Sequence, residues 1–328
     1  MSVLDVTDVV VEYRRPGRDP VRAVAGVSLS LDAARILGLV GETGCGKSSL
    51  ARAAVGLVRP SAGSVRFNGE LVTPLGRRTR PMRQTRLQMV FQDPFSSLNP
   101  RRKAGEQIAD GLAISGKGSS GQRRVRVGDL LSQVGLPASA ASRYPHEFSG
   151  GQRQRIAIAR TLAAEPTVIV ADEPLAALDA SIKAQLANLM ISLSRELGAG
   201  LLFISHDLAI VRHVADLVAV MYLGLVVEVA PTREMWAMPL HPYSEALIAA
   251  VPRLDRIRAL PAALPGEVAD PAHPPQGCRF HPRCPYVFDR CRIESPPLRE
   301  VAPGRQVACW LQEQGRARAL PRAQRPPA

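Results

Sequence analysis

The chain is 328 residues long, which is more than one small domain needs, and its apolar fraction of 46% is typical of a globular protein. The best candidate for a membrane span, residues 214–230, contains Asp216 and Glu228, so the sequence predicts no transmembrane helix. The net charge of +13 comes mainly from scattered arginines, and aromatic residues make up only 4%, too few to stack on single-stranded bases, so we expect no specific nucleic-acid partner.

The first predicted elements are strands at residues 3–12 and 21–40, where valine, leucine and isoleucine alternate or cluster. A glycine loop with the pattern G-x-x-x-x-G-K-S follows at residues 41–48 and leads into a predicted helix. The glycines allow consecutive backbone N–H groups to face a phosphate, while Lys47 reaches the β- and γ-phosphates and Ser48 offers its hydroxyl to Mg²⁺. The loop therefore predicts a nucleotide site.

Cys45 lies inside this glycine loop, at a helix N-terminus and beside Lys47. Both features lower the pKa of a thiol, so one hypothesis is that activity at the nucleotide site is sensitive to thiol reagents. The alternative is that Cys45 is a small residue at a variable position of the loop.

A second chemical motif is the short apolar run at residues 167–174, which ends in two carboxylates. Successive strand residues point to opposite faces, so Asp172 and Glu173 have different roles. Asp172 is placed to hold Mg²⁺ or its water, and Glu173 to act as the general base on the attacking water.

Between these motifs, residues 147–163 read EFSGGQRQRIAIARTLA, and Ser149 is a natural helix N-cap. The glycines after it allow close backbone approach at a second anion-binding helix terminus. This segment resembles the signature of ABC-type ATPases. The resemblance implies that hydrolysis requires a head-to-tail dimer, in which the signature of one subunit faces the ATP held by the other.

The resemblance covers roughly residues 3–310 and assigns further roles. It implies that Gln92 in the Q-loop senses Mg²⁺ and the attacking water, and that the switch histidine His206 contacts the γ-phosphate. Tyr13 matches the aromatic residue that stacks on adenine, or else is a strand-end core tyrosine. The D-loop spans residues 176–179, where Ala176 replaces a serine that is usual in the family, so we expect some loss of coupling across the dimer.

The resulting site assignment has four parts. The catalytic residues are Glu173, His206, Gln92 and Lys47. The residues assigned to ATP are Tyr13, Gly41, Glu42, Thr43, Gly44, Cys45, Gly46, Lys47, Ser48, Ser49 and Gln92. Those assigned to the ATP of the partner are the signature residues Ser149, Gly150, Gly151 and Gln152, with Asp179 in the D-loop. The Mg²⁺ ligands are Ser48, Gln92 and Asp172.

The resemblance implies an α/β fold, namely a P-loop NTPase of the ABC type with a RecA-like core, an antiparallel β subdomain and a helical subdomain. We expect the ATPase domain at residues 1–235. Its helical subdomain, at about 93–150, would receive the coupling helices of a membrane permease. A Cys-containing extension is expected at 236–312, and residues 313–328, rich in Arg, Ala and Pro, are expected to be disordered.

The stretch HPYSEALIAAVPRL at 241–254, followed by GCRFHPRCPYVFDRC at 277–291, resembles the C-terminal extension of ATPases from peptide and nickel importers. The first residues do not resemble a signal peptide, so we expect a cytosolic chain with reduced thiols rather than disulfides.

Four cysteines of the extension follow the spacing C-x5-C-x6-C-x17-C, and they are Cys278, Cys284, Cys291 and Cys309. Four thiolates suit a tetrahedral Zn²⁺ or a [4Fe–4S] cluster. Structural zinc sites favour close C-x2-4-C pairs, which are absent from this sequence, so we favour the iron–sulfur cluster over zinc. The third alternative is thiols that bind no metal.

The sequence thus predicts the ATP-hydrolysing subunit of a bacterial ABC importer of di- or oligopeptides, on the cytoplasmic face of the inner membrane. Its expected partners are a second, possibly different ABC ATPase, two permease subunits and an extracytoplasmic solute-binding protein. One alternative is import of nickel or another small solute by the same subfamily. A further alternative, to which the positive charge is suited, is a soluble ABC ATPase that acts on nucleic acid.

Overall fold

The structure is a computed structural model that describes residues 1–14, 16–17, 19–76, 80–93, 97–114, 116, 118–176, 178–251, 266–267 and 269–312. The tail at 313–328, for which disorder is expected, lies outside the described residues. Within the described ranges, no helix is both long enough and apolar enough to cross a membrane.

The chain begins with three consecutive strands, and single strands alternate with single α-helices from residue 168 to residue 222. The strands are β1 (Ser2–Tyr13), β2 (Val21–Asp32), β3 (Ile36–Val40), β4 (Ala62–Phe67), β5 (Glu70–Leu71), β6 (Leu87–Val90), β7 (Val168–Asp172), β8 (Gly200–Ile204), β9 (Leu217–Tyr222), β10 (Leu225–Pro231), β11 (Arg299–Ala302) and β12 (Arg305–Val307). The helices are α1 (Lys47–Ala54), α2 (Ala104–Ile114), α3 (Ser120–Gln133), α4 (Gly150–Leu162), α5 (Ala180–Glu196), α6 (Leu208–Val214), α7 (Thr232–Ala237), α8 (Pro242–Ala249) and α9 (Asp289–Ile293).

The main sheet has the strand order β11-β12-β10-β9-β3-β8-β7-β6 among the described residues. The strands from β9 to β6 in this order pair in parallel, and β10, β12 and β11 continue the sheet with antiparallel pairs. Every residue of β3, β7 and β8 is buried, as expected for parallel strands that are covered on both faces. This arrangement confirms the predicted α/β class.

The two faces of the main sheet carry separate hydrophobic cores. Consecutive residues of β3 alternate between them, so Leu39 packs on one side with Leu50 of α1, and Val40 packs on the other with Ile156 of α4. The antiparallel sheet β2-β1-β4-β5 covers the first core. Helices α2 to α6 contribute side chains to the second.

The extension is built onto the main sheet rather than held beside it. Strand β12 pairs with β10, with Val307 opposite Glu228. Glu228 is fully buried, and its carboxylate accepts hydrogen bonds from the backbone N–H groups of Leu240 and His241, both at 2.9 Å. Residues beyond β10 therefore share the sheet and the core of the residues that precede them.

Candidate functional site

The candidate site lies where the parallel strands end. Strand β3 leads into the glycine loop, β6 ends two residues before Gln92, and β7 leads into Glu173. Strand β8 ends two residues before His206. Because the carboxyl ends of parallel strands meet at one edge of the sheet, these loops converge, and ligands of open α/β sheets bind at that edge.

Two glycines of the loop are required by close packing. A Cβ atom at Gly41 would lie 2.1 Å from the carbonyl oxygen of Met221, and one at Gly46 would lie 2.0 Å from that of Ala23. Their φ angles of 157° and 106° are in the range that favours glycine. The loop is thereby held tightly against strands β9 and β2.

Lys47 is folded back over this loop. Its side chain is buried, and Nζ donates hydrogen bonds to the carbonyl oxygens of Gly41 at 2.8 Å and Glu42 at 2.9 Å. The loop thus holds a fixed positive charge beside its backbone N–H groups, which is the arrangement that a polyphosphate requires.

Ser48 and Asp172 bring two oxygen atoms together beside the loop. The Ser48 hydroxyl donates a hydrogen bond to Oδ1 of Asp172 at 2.9 Å. Burial raises the pKa of the Asp172 carboxyl, partly opposed by the hydrogen bond from Ser48. A buried carboxylate that is costly to ionise alone is stabilised by a divalent cation, and both atoms are hard oxygen donors of the kind Mg²⁺ prefers. The residues present therefore fit Mg²⁺.

Glu173, which follows β7, contacts residues that follow the neighbouring strands β6 and β8. Its Oε2 atom lies 2.9 Å from Nδ1 of His206 and 3.5 Å from Nε2 of Gln92. The backbone of Glu173 has a φ of 45°, which is uncommon for a residue with a side chain, and its N–H donates to the carbonyl oxygen of Ile204 at 3.0 Å. The carboxylate is 13% exposed and His206 is 52% exposed, so both are accessible to water.

Tyr13 ends β1 near the start of α1. Its side chain is partly exposed, and its hydroxyl lies 3.2 Å from Oγ of Ser49. The hydroxyl therefore contacts the first turn of α1, which follows the glycine loop, and the adenine contact stays a prediction.

The signature segment forms a separate site. Ser149 caps α4 by accepting a hydrogen bond from the Gln152 N–H, and Oε1 of Gln152 accepts one from the Ser149 N–H. A Cβ atom at Gly151 would lie 2.9 Å from Ile182 of α5, the helix that begins after Asp179. Among the described residues, no hydrogen bond joins residues 149–152 to the glycine loop.

The environment of Cys45 does not support the hypothesis of a reactive thiol with a lowered pKa. Its side chain is buried, and this burial raises the pKa of the thiol, although Nζ of Lys47 lies 3.7 Å from the sulfur. The expectation of a lowered pKa is wrong because desolvation of the thiolate outweighs the attraction of the nearby ammonium group.

The cysteines of the extension converge on one small cavity. Cys278, Cys284, Cys291 and Cys309 all line a cavity of about 20 Å³, which has room for about one water molecule. Burial raises the pKa of Cys278, that of Cys284 to about 11 and that of Cys309 to about 12. Within the described part of the chain, no group of three or more His, Cys, Asp or Glu residues is arranged to hold a metal ion. The donors suit a cluster in number and kind, but the cavity as it stands does not have the volume of one.

Two parts of the chain match known family models. Residues 24–176 match the family model of the ABC transporter, and residues 227–291 match that of the oligopeptide/dipeptide transporter, C-terminal region. The chain is 51% identical over 292 residues to a probable peptide ABC transporter ATP-binding protein of Sinorhizobium fredii, which covers 89% of this chain and 83% of that protein. The chain belongs to the ABC transporter ATP-binding protein family.

Other relatives of this ABC ATPase agree with that membership. The di/tripeptide transport ATP-binding protein DppF of Pseudomonas aeruginosa is 48% identical over 299 residues, with 91% of this chain and 92% of that protein covered. Among solved structures, a dimeric ATP-binding cassette bound to ADP and Pi is 27% identical with a TM-score of 0.63, over 70% of this chain and 99% of that one. A component of an ABC transporter complex from Clostridium perfringens has the same identity and TM-score, and the match covers 78% of this chain and 97% of that one. These structures confirm the predicted ABC-type P-loop fold.

The structure of the ABC ATPase also contains contacts that sequence reasoning missed. Arg283 pairs with Glu42 of the glycine loop, and the hydroxyl of Tyr243 accepts a hydrogen bond from the Glu42 N–H. Both side chains come from the extension, 241 and 201 residues away from Glu42. A lone arginine in an arginine-rich sequence carries no local signal of this contact.

Proposed function

We propose that this ABC ATPase is the ATP-hydrolysing subunit of a bacterial importer of di- or oligopeptides. The observation that carries the proposal is the junction of a cassette with a complete set of ATPase residues and an oligopeptide/dipeptide transporter C-terminal region in one sheet. Relatives from two organisms, with names that specify peptide or di/tripeptide transport, support the choice of cargo. Nickel or another small solute is the alternative within the subfamily.

The first step assigned to this chain is nucleotide binding. The backbone N–H groups of residues 41–49 and the Lys47 ammonium hold the phosphates, and Tyr13 stacks on the adenine. The support for this role is the fold of the loop around the buried Lys47 and the position of Tyr13 beside Ser49. Ser48, Asp172 and Gln92 would hold Mg²⁺, which would neutralise phosphate charge.

The second step is activation of the attacking water. Glu173 accepts a proton from that water, and His206 orients the carboxylate through the hydrogen bond to Oε2. Nε2 of Gln92 lies 3.5 Å from the same oxygen of Glu173, so Gln92 couples the state of the site to the residues that follow it in the chain. The strained backbone of Glu173 supports a functional role, because such conformations concentrate at active sites.

The third step depends on a second ATPase subunit. Ser149, Gly150, Gly151 and Gln152 form a capped helix N-terminus suited to an anion, and the ATP they meet belongs to the partner. Their separation from the glycine loop within one chain supports this assignment. Asp179 occupies the N-cap position of α5 without a capping hydrogen bond from its side chain. Ala176 lacks the hydroxyl that is usual in the family, so we propose weaker coupling at this D-loop.

The remaining proposals concern assembly. We assign residues 1–235 to the ATPase domain, 236–312 to the extension and about 93–150 to the helical subdomain that receives the coupling helices of a permease. The assembly also contains a second ABC ATPase subunit and two permease subunits. An extracytoplasmic solute-binding protein supplies the cargo. We place the chain at the cytoplasmic face of the inner membrane as a peripheral subunit.

We also propose that Cys278, Cys284, Cys291 and Cys309 hold a [4Fe–4S] cluster. Their convergence on one cavity from well-separated positions supports a shared ligand. Binding requires the thiols to lose their protons, which burial opposes, and to move apart, since the cavity has the volume of about one water.

Iron and acid-labile sulfide measured on the anaerobically purified full chain test this proposal. We expect about four of each per chain and a broad visible absorbance, both lost in Cys284→Ser and kept in Cys45→Ser. Zinc alone, or no metal, contradicts the cluster and leaves the ATPase assignment untouched.

Transport itself is tested in cells that lack the chromosomal copy of the protein. We expect uptake of a labelled dipeptide to be restored by the wild-type chain and not by Glu173→Gln, with uptake of labelled nickel unchanged in both. Restoration of nickel uptake instead favours the alternative cargo. Purification of the tagged chain with nucleic acid and without permease subunits contradicts the importer.

A further inference from the structure

The turn that leads into Cys284 carries a buried charge aimed at the nucleotide loop. Arg283 is 6% exposed, and its guanidinium forms two parallel hydrogen bonds with the carboxylate of Glu42. The distances are 2.8 Å from Nη1 to Oε2 and 3.0 Å from Nη2 to Oε1. Such a two-pronged pair fixes both distance and orientation between the groups that it joins.

Glu42 is held at its backbone as well as at its side chain. Its N–H donates to the Tyr243 hydroxyl at 2.9 Å, and its carbonyl oxygen accepts from Nζ of Lys47 at 2.9 Å. Tyr243 is fully buried in α8, which belongs to the extension. The extension therefore contacts the carboxylate and the amide of a residue that also positions the phosphate-binding lysine.

A packed aromatic group supports both contacts. Tyr222 lies with its ring centroid 4.6 Å from that of Tyr243 and 5.3 Å from that of Phe280. The Arg283 guanidinium carbon lies 5.9 Å from the centroids of Tyr222 and Phe280. Phe280 also lines the cysteine cavity, so the glycine loop and that cavity are linked by contiguous buried side chains.

We infer that Arg283 is a positioning residue of the ATP site, through which the extension holds the glycine loop in its nucleotide-binding shape. A loop that is already held in this shape loses less conformational freedom when ATP binds, so the contact raises nucleotide affinity. Coupling of this kind is reciprocal, and ATP therefore stabilises the packing of the extension around its cysteines.

Direct binding of Mg·ATP to the full-length chain tests the first half of the inference. We expect Arg283→Gln to raise the dissociation constant about tenfold, whereas the turnover rate at saturating ATP falls less than twofold. Arg283→Lys keeps the charge but makes a single contact, so its dissociation constant should lie between those of the wild type and Arg283→Gln. Arg292→Gln, at an exposed arginine of the same extension, is the matched control and binds ATP like the wild type.

A double-mutant cycle separates this role from general loss of stability. If the pair acts as a unit, Glu42→Gln combined with Arg283→Gln raises the dissociation constant no more than the larger single change. If the fold-changes of the two single variants instead multiply in the double variant, the inference is overturned. It is also overturned if Arg283→Gln has an unchanged circular-dichroism spectrum and binds ATP with the dissociation constant of the wild type.

The reciprocal half is measured on the wild-type chain and remains decisive if Arg283→Gln fails to fold. In the cluster-free wild-type chain, saturating Mg·ATP is expected to slow alkylation of Cys284 severalfold, as followed by peptide mass spectrometry. Equal rates with and without nucleotide, in a sample that binds ATP, overturn the coupling. Since ATP binding and turnover of the wild type are measured in the same samples, failure of the inference is distinct from failure of the proposed function.

Discussion

Nδ1 of His206 lies 2.9 Å from Oε2 of Glu173, and the two residues follow the ends of the neighbouring parallel strands β8 and β7. Register in this sheet places Asp172 opposite Ile204, so the loops that carry Glu173 and His206 leave the sheet side by side. The hydrogen bond is thus a consequence of strand order. It joins the carboxylate proposed as general base to the imidazole proposed to orient it.

Replacement of Glu173 by glutamine removes the base and keeps the shape of the side chain. We expect ATP turnover to fall about 10²- to 10⁴-fold, while the dissociation constant for ATP stays within about twofold of the wild type. The variant should accumulate as an ATP-bound dimer, visible by size-exclusion chromatography with multi-angle light scattering. Wild-type turnover in this variant contradicts the role of Glu173.

His206→Gln tests whether the imidazole acts through Glu173. Loss of the 2.9 Å contact frees the carboxylate, and we expect turnover to fall about tenfold or more with little change in ATP affinity. His213→Gln is the control, because His213 is an exposed histidine that contacts Asn188 instead. An equal fall in both variants contradicts a specific role for His206.

Ser48→Ala removes the hydroxyl that contacts Asp172 at 2.9 Å. The Mg²⁺ concentration that gives half-maximal turnover should rise about tenfold, because one oxygen ligand of the proposed site is lost. Ser49→Ala, which alters the contact with Tyr13 instead, should leave the Mg²⁺ dependence unchanged. A Mg²⁺ titration of ATPase activity distinguishes the two serines.

His241 provides a prediction about pH and stability. Complete burial lowers the pKa of His241 to about 3, and its Nδ1 accepts a hydrogen bond from the Tyr243 N–H. The unfolded chain binds a proton at this residue near pH 6.5, and the folded chain does not, so stability is lost as the pH falls from 6.5 toward 3. The loss reaches about 2 kcal/mol at pH 5.

His241→Asn keeps an acceptor for the Tyr243 N–H and does not titrate. The difference in unfolding free energy between the wild type and this variant should therefore shrink or reverse by about 2 kcal/mol between pH 8 and pH 5, as measured by urea denaturation. A difference that is constant with pH is the result that contradicts the assignment.

Local motifs account for the part of the site that the sequence could predict. The loop at 41–48, the carboxylates after β7 and the cap at Ser149 are each encoded in a few adjacent residues, because phosphate binding and helix capping depend on consecutive backbone groups. The order of the parallel strands then brings Gln92, Glu173 and His206 together without further sequence signal.

Long-range contacts account for what the sequence could not predict. The pair of Arg283 and Glu42 joins residues that are 241 positions apart, and the pairing of β12 with β10 depends on the folded sheet. The pKa of Cys45 was predicted in the wrong direction because neighbours in sequence show the charge of Lys47 but not the depth of burial.

The peptide-importer assignment is tested most directly by ATP turnover of the assembled transporter in lipid vesicles, measured with and without its solute-binding protein loaded with a dipeptide. We expect the loaded binding protein to stimulate turnover severalfold in the wild type and to leave Glu173→Gln inactive. If a complex that hydrolyses ATP shows the same turnover with and without the loaded binding protein, that result contradicts the importer assignment.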